Sequence, residues 1–306
     1  MKQRTLAKSV FVTGVGLHSG ERVRLSLHPA AADFGIAFRR TDLHGKEGEM
    51  IALSPSLIND TRLSSTVVTD LGVRVGTIEH IMSALAAYGI DNILIELNAP
   101  EIPIMDGSGL PFIYLLQDAG VAEQAAQKRF LRIKKTIEVA EADKWVRFTP
   151  YNGFKVRLTI AFDHPVFHRS NQTLEIDFAG QSYIDEISRA RTFGFMQEVE
   201  LMRSHNLGLG GNLNNAIVID DIDVLNPEGL RYADEFVRHK ILDAIGDLYV
   251  VGHPIIGAFE GHKSGHAINN ALLRKVLADE NAFEWVSFVD GDRNLPAAFH
   301  GLPQAA

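Results

Sequence analysis

His239, Asp243 and Asp247 stand four residues apart in the run Val237-Arg238-His239-Lys240-Ile241-Leu242-Asp243-Ala244-Ile245-Gly246-Asp247. That spacing puts all three on one face of a helix. A histidine nitrogen and a carboxylate oxygen on such a face can reach one zinc ion, which takes N and O ligands tetrahedrally and in catalytic sites keeps one position open. The same spacing is also that of a surface His–Asp pair, worth only about 0.2–0.5 kcal/mol. A catalytic zinc needs a third protein ligand. His80 is the candidate, because it occupies the equivalent place in the first half of the chain. Glu79 beside it is the candidate general base, a carboxylate that takes a proton from water as it attacks a carbonyl while the metal carries the developing charge. An isolated Glu-His pair also fits a capping carboxylate followed by a packed core histidine, and the pair is not the H-E-x-x-H metalloprotease signature.

A third cluster is Lys263-Ser264-Gly265-His266, expected in a loop between a strand and a helix beginning near Asn269. His266 there can protonate a leaving amine, with Asp247 holding its imidazolium form. Without such a partner, a loop histidine is simply solvated. Gly208-Leu209-Gly210-Gly211 lacks the Lys-Ser/Thr of a phosphate-binding loop and the helix of a dinucleotide fold, so it reads as a mobile loop. No Gly-x-Ser-x-Gly elbow is present to anchor serine hydrolase chemistry.

The elements that must position these residues show in the hydrophobic pattern. Val23, Leu25 and Leu27 alternate with Arg22, Arg24 and Ser26 as in a half-buried strand, after a turn at Gly16 to Gly20. Ile78, Ile81, Leu85 and Tyr88 recur at helical spacing, Gly89 ends the run, and Asn92 to Leu97 reads as a strand. A second helix is expected from Pro111 to about Ala119, and the Ala/Gln/Glu stretch Val121 to Lys128 reads as a linker. Beyond it, Phe154 to Phe162 alternates as a strand, about Tyr232 to Val251 is a long helix with Ile241, Ile245 and Leu248 as its buried stripe, and Pro254 to Phe259 is a further strand. Glu79-His80, helix, strand in one half faces Arg238-His239, helix, strand in the other, which points to a duplication. The expected fold class is therefore α+β, with two similar layered domains at residues 1–120 and 129–306 joined by the linker 121–128.

Composition bounds the chemistry from the other side. The chain has 306 residues and a formal net charge of −8, which argues against a grip on nucleic acid. It has no cysteine, which removes disulfides, thiolate metal sites and thiol nucleophiles together. No run approaches the ~20 apolar residues of a membrane span. Thr13 and two glycines dilute the run after Lys8 that faintly resembles a signal peptide, so the start reads as a strand and the expected location is the cytoplasm.

Thr77-Ile78-Glu79-His80, Asn98 to Ser108 (NAPEIPIMDGS), Ser188 to Phe195 (SRARTFGF), Phe236 to Leu248 (FVRHKILDAIGDL) and Lys263 to Asn270 (KSGHAINN) follow one another in this order. Together they resemble the UDP-3-O-acyl-N-acetylglucosamine deacetylases, the zinc amidases of lipid A synthesis, from about Gln3 to at least Val289. The resemblance implies two domains of β-α-α-β topology that sandwich the active site between their helical layers, with an insert in each. It implies His80, His239 and Asp243 as zinc ligands, with iron(II) an alternative occupant. Glu79 is implied as the base, and His266, oriented by Asp247, as the group that protonates the amine or stabilises the oxyanion. Thr192 is implied as a hydroxyl donor to the tetrahedral intermediate. Lys240 and Lys263 resemble basic residues near the glucosamine and diphosphate, and Phe162 an aromatic contact to the nucleotide. The second insert, about residues 193–227, would form a passage for the 3-O-acyl chain, with Phe193, Phe195, Met196, Leu201 and Leu207 as candidate walls.

The expectation is thus a monomeric zinc deacetylase that frees the amine of a UDP-linked 3-O-acyl glucosamine and releases acetate. Two rivals follow from the same residues: a zinc amidase acting on another acylated sugar or a peptide, and a non-catalytic lipid-linked sugar-binding protein with a structural metal.

Overall fold

One topology is built twice along this chain, and the computed structural model describes it over residues 1–300 and 302. After β1 (Lys2–Leu6), the first half runs β2 (Val10–Val15), β3 (Arg22–Pro29), β4 (Ile36–Arg40) and β5 (Ile51–Ala52). An insertion follows, the three-stranded sheet of β6 (Ile58–Asp60), β7 (Thr66–Val68) and β8 (Arg74–Val75). Then come α1 (Glu79–Tyr88), β9 (Ile93–Leu97) and α2 (Leu110–Ala119). β10 (Val121–Gln127) and β11 (Phe130–Ile133) lead into the second half.

There β12 (Ile137–Glu141), β13 (Lys144–Thr149), β14 (Phe154–Thr159), α3 (Pro165–His168) and β15 (Thr173–Asp177) precede a longer insertion. That insertion holds α4 (Tyr183–Glu186), β16 (Phe193–Phe195), α5 (Met196–Ser204) and β17 (Ile217–Ile219). α6 (Glu235–Tyr249), β18 (Ile255–His262), α7 (His266–Leu277) and β19 (Phe283–Val286) complete the chain.

The two main sheets match strand for strand. In the first the order is β2-β3-β9-β4-β5, with β9 antiparallel to β3 and parallel to β4. In the second, β18 is antiparallel to β13 and parallel to β14, with β12 and β15 outside them and β11 and β19 extending the sheet. A parallel pair needs a long crossover. In each half that crossover carries the insertion and then the helix that ends just before the central strand. The helices that carry Glu79-His80 and Arg238-His239 therefore occupy the same place in the two halves, although His80 is the second residue of α1 and His239 the fifth of α6.

Each sheet buries one face against its helices. On β3 Val23, Leu25 and Leu27 are buried while Arg22 and Arg24 face solvent. Gly89 closes α1 in the left-handed conformation at φ 59°, its N–H reaching back to Ala86 and Leu85, a role that glycine fills without a Cβ penalty. The helical layers then meet, α1 against α6. At Gly246 they meet backbone to backbone, since a Cβ built there would lie 2.0 Å from the Glu79 carbonyl oxygen.

Three expectations are corrected. Val121 to Gln127 is not an unpatterned linker but a strand, antiparallel to β1, and Lys128 after it is fully buried, donating to the Gly89 carbonyl and pairing with Asp91. α6 is shorter than expected at both ends, and its buried surface is no single stripe, because it packs on its sheet, on α7 and on α1 together. α7 begins at His266, three residues before Asn269, so His266 is the first residue of a helix rather than part of the loop. Among the described residues, no helix is long and apolar enough to cross a membrane.

Candidate metal centre and catalytic site

The α1/α6 contact brings His80, His239 and Asp243 together. All three are buried, and one ligand atom from each lies within 4.8 Å of the others. Nε2 of His239 is 3.3 Å and Nε2 of His80 is 3.6 Å from Oδ1 of Asp243, and the two rings stand edge to face at 5.0 Å. His239 Nδ1 lies 3.0 Å from the Ala190 carbonyl, which accepts its proton and leaves the Nε2 lone pair turned to Asp243. Burial, joined by the nearby His80 and Lys240, outweighs the pull of the Asp243 carboxylate and drops the His239 pKa to about 4, so the ring is neutral and able to ligate.

Asp243 divides its oxygens. Oδ2 accepts from Lys240 Nζ at 2.9 Å, while Oδ1 is buried with no hydrogen-bond partner among the described residues. Burial favours the neutral acid, but the neighbouring His239 and Lys240, the latter an ammonium bonded to Oδ2, outweigh it and hold the carboxyl well below its usual range. A buried, ionised oxygen without a donor, facing two imidazoles, costs free energy unless a cation fills the space between them. The donor set of two nitrogens and one carboxylate oxygen suits a metal such as zinc.

Around this cluster the remaining polar groups are ordered. Glu79, in the first turn of α1, is buried, and its Oε2 accepts the Ser65 N–H at 3.0 Å. Burial raises its pKa above the ordinary carboxylate value, against the opposing His266 and His80 charges. His266 Nδ1 sits 3.0 Å from Asp247 Oδ2. Burial pulls the His266 pKa down, the charge and hydrogen bond of Asp247 push it up, and the second effect prevails, to about 9. Asp247 also accepts from Asn269 Nδ2 at 2.9 Å and from Ser65 Oγ at 2.6 Å.

Thr192 precedes β16. Its N–H donates to the Gly107 carbonyl and its own carbonyl accepts from Ile217, each at 2.8 Å. The first half's Asp- and Gly-rich loop thereby braces the second half's insertion. Gly107 has to lack a side chain, because a Cβ would lie 2.1 Å from the Asn215 carbonyl oxygen.

The other residues expected at the site are placed as follows. Lys240 is tied to Asp243, and Lys263 is paired with Asp143 of the β12–β13 turn. Phe162, Phe193 and Phe195 form one aromatic cluster with Phe167 and Phe236, although the sequence reading assigned them to different parts of the substrate. Phe193 is also the link to the metal cluster, its ring 6.4 Å from that of His239. Met196, Leu201 and Leu207 are exposed, and α5 buries no residue. Of the three, Leu207 lines a cavity of about 460 Å³ with Leu63, His18, Thr77 and Glu101. The glycine stretch expected to be a mobile loop is pinned to the β2–β3 turn, Leu209 N–H donating to His18 and Gly210 N–H to Leu17.

Sequence reasoning missed Ser65, Asn269 and the Ala190 carbonyl. Asn269 is three residues after His266 and shares its helix face, a signal that was available once the helix start was known. Ser65 lies in a Ser-Ser-Thr run between short strands and carries no periodic signal.

Two matched α+β layers closing on a buried His, His, Asp cluster that could hold a metal ion, with a carboxylate and a His–Asp pair beside it, define a duplicated α+β protein with a candidate metal site. A sequence model of the LpxC family, described as UDP-3-O-acyl N-acetylglycosamine deacetylase, matches residues 3–278. The chain is 80% identical over 302 residues to a protein of Neisseria meningitidis serogroup A / serotype 4A, covering 99% of this chain and 98% of the relative. It is 79% identical over 302 residues, with the same coverage, to one of Neisseria gonorrhoeae, and 64% identical over 301 residues to one of Chromobacterium violaceum, covering 98% of each. All three relatives bear the name UDP-3-O-acyl-N-acetylglucosamine deacetylase. The chain belongs to this family of deacetylases.

Proposed function

We infer that this chain hydrolyses the N-acetyl group of UDP-3-O-acyl-N-acetylglucosamine, a step of lipid A biosynthesis, as a metal-dependent amidase. The observation that carries the reading is the orphaned Asp243 Oδ1 facing the His80 and His239 rings, with the buried Glu79 carboxylate next to His80 in the chain and Asp247 of the His–Asp pair one helical turn after Asp243. We take His80, His239 and Asp243 as the ligands and zinc as the ion, with iron(II) the competing occupant. When bound, such an ion supplies a Lewis acid that polarises the amide carbonyl and makes water more acidic.

The chain's own groups divide the proton traffic. Glu79 takes a proton from the attacking water, and its raised pKa lets it hold that proton better than an ordinary carboxylate would. Thr192 donates a hydrogen bond to the carbonyl oxygen as charge develops there. His266, an imidazolium at neutral pH, gives its proton to the nitrogen as the C–N bond breaks, so that acetic acid and a neutral amine form. The proton on Glu79 passes to His266 and restores both groups, and the remaining water proton leaves as acetic acid ionises to acetate. Asp247 keeps His266 charged and fixes its ring. Lys240 and Lys263 face the anionic part of the substrate, Phe162 the nucleotide, and Phe193 and Phe195 the acyl passage. In this reading residues 1–120 and 129–306 are the two working halves, acting in a monomer in the cytoplasm.

The test is acetate release from UDP-3-O-acyl-N-acetylglucosamine, measured with the metal content of the same preparation by mass spectrometry. One tightly held zinc per chain and stoichiometric acetate support the reading. Metal and ligand binding without acetate would instead make the chain a non-catalytic binder of the lipid-linked sugar.

A further inference from the structure

We propose that Ser65 is a positioning residue that locks the Asp247–His266 pair to the general base across the two halves. The inference rests on the roles given above to Glu79, Asp247 and His266.

Ser65 is 1% exposed, in the turn between β6 and β7 of the first insertion. Each of its polar groups has a separate task. The carbonyl accepts the N–H of Ile78, just before α1. The N–H donates to Oε2 of Glu79 at 3.0 Å. The hydroxyl donates to Oδ1 of Asp247 at 2.6 Å, across 182 residues of sequence and from one half of the molecule to the other.

A carboxylate offers about four lone-pair sites. On Asp247 the donors are His266 Nδ1 and Asn269 Nδ2, both from α7, and Ser65 Oγ from the turn between β6 and β7 of the first half. The two α7 donors alone leave the carboxyl group able to swing with that helix. The third donor, held in the first half beside Glu79, stops the swing and ties the proton donor to the same short segment that aims the base. Acid and base have to reach opposite sides of one amide group, so their separation must be set to within a fraction of an ångström. The backbone N–H does its part for any residue type except proline. Only the hydroxyl is particular to this side chain, and it acts solely through Asp247.

That division gives the experiment, run on the metal-loaded enzyme with full kinetics, metal content and melting temperature for each variant. Ser65→Ala should lower kcat by about 10–100-fold, leave KM within about twofold and leave the metal content unchanged. Ser65→Thr, which retains the hydroxyl, should recover most of the loss. In an Asp247→Ala background the same Ser65→Ala change should lower kcat by less than about twofold, because the group it acts through is gone. Unchanged kcat in Ser65→Ala, equal losses in the Ala and Thr variants, or the same fractional loss in both backgrounds would each overturn the inference. Full turnover in Asp247→Ala itself would overturn the role of Asp247 and this inference with it, whereas a crippled Asp247→Ala beside a fully active Ser65→Ala would remove Ser65 alone.

Discussion

The two halves place the same helix in the same crossover, yet they load it differently. α1 spends its polar residues in its first turn, Glu79 and His80, and is apolar or small from there to Gly89. α6 spreads His239, Asp243 and Asp247 over two turns of its middle. The first half therefore supplies one candidate ligand and the candidate base, and the second supplies two candidate ligands and the partner of His266. A helix start suits a carboxylate, because unpaired N–H groups and the helix dipole favour negative charge there. A helix middle suits residues four apart, which form a row along one face. Duplication supplied the scaffold, and the position along each helix decided the chemistry.

If the halves are joined through one ion, His80→Ala and His239→Ala should have the same consequence from opposite sides. Each should fall from about one metal per chain to near zero after gel filtration, and activity should go with it. A metal kept in one variant and lost in the other would break the symmetry of the assignment. Glu79→Gln should separate the halves' duties: full metal content, with turnover down by about 10²–10⁴-fold. Normal turnover in that variant would remove Glu79 as the base.

The contact between the helices is tested by Gly246→Ala. Its Cβ would collide with the backbone of Glu79, which cannot yield as a flexible side chain can, so a loss of about 1–3 kcal/mol is expected in urea unfolding. Weaker metal retention should accompany it, since the same shift moves His80 from His239. Unchanged stability and metal retention would mean that the halves meet elsewhere.

The smallest effect compares the turns that follow the two helices. After α1, Asp91 is paired with the buried Lys128, whereas after α6 His253 is pressed against Trp285, and its pKa is lowered to about 4 by burial and by the Arg129 and Lys128 charges. Its folded pKa is depressed, so it contributes stability that is complete above the unfolded value near 6.5 and is lost as pH falls toward 4, where the unfolded chain takes up a proton that the folded chain refuses. Replacing it by Gln should make the urea midpoint fall less between pH 7 and 5. An equal fall in both proteins would discount the site.

Much of this was legible beforehand because it is periodic. The strand at Val23 to Leu27, both helices that carry the candidate ligands, and the His239, Asp243, Asp247 row all follow from spacing. That the row faces α1 rather than water was not legible, since spacing fixes a face and says nothing of what covers it. β10 was missed because Ala, Gln and Glu have poor strand preference and, of its residues, only Val121 is buried, so no apolar alternation marks it. Ser65 was missed because its partners are distant in sequence, with Asp247 182 residues away.

That separation has a consequence in time. At roughly 5–20 residues per second of synthesis, Asp247 leaves the ribosome on the order of ten to forty seconds after Ser65. A nascent chain that has finished its first sheet carries Glu79 and His80 without His239, Asp243 or His266. The full cluster can therefore be assembled only after both α6 and α7 have been made.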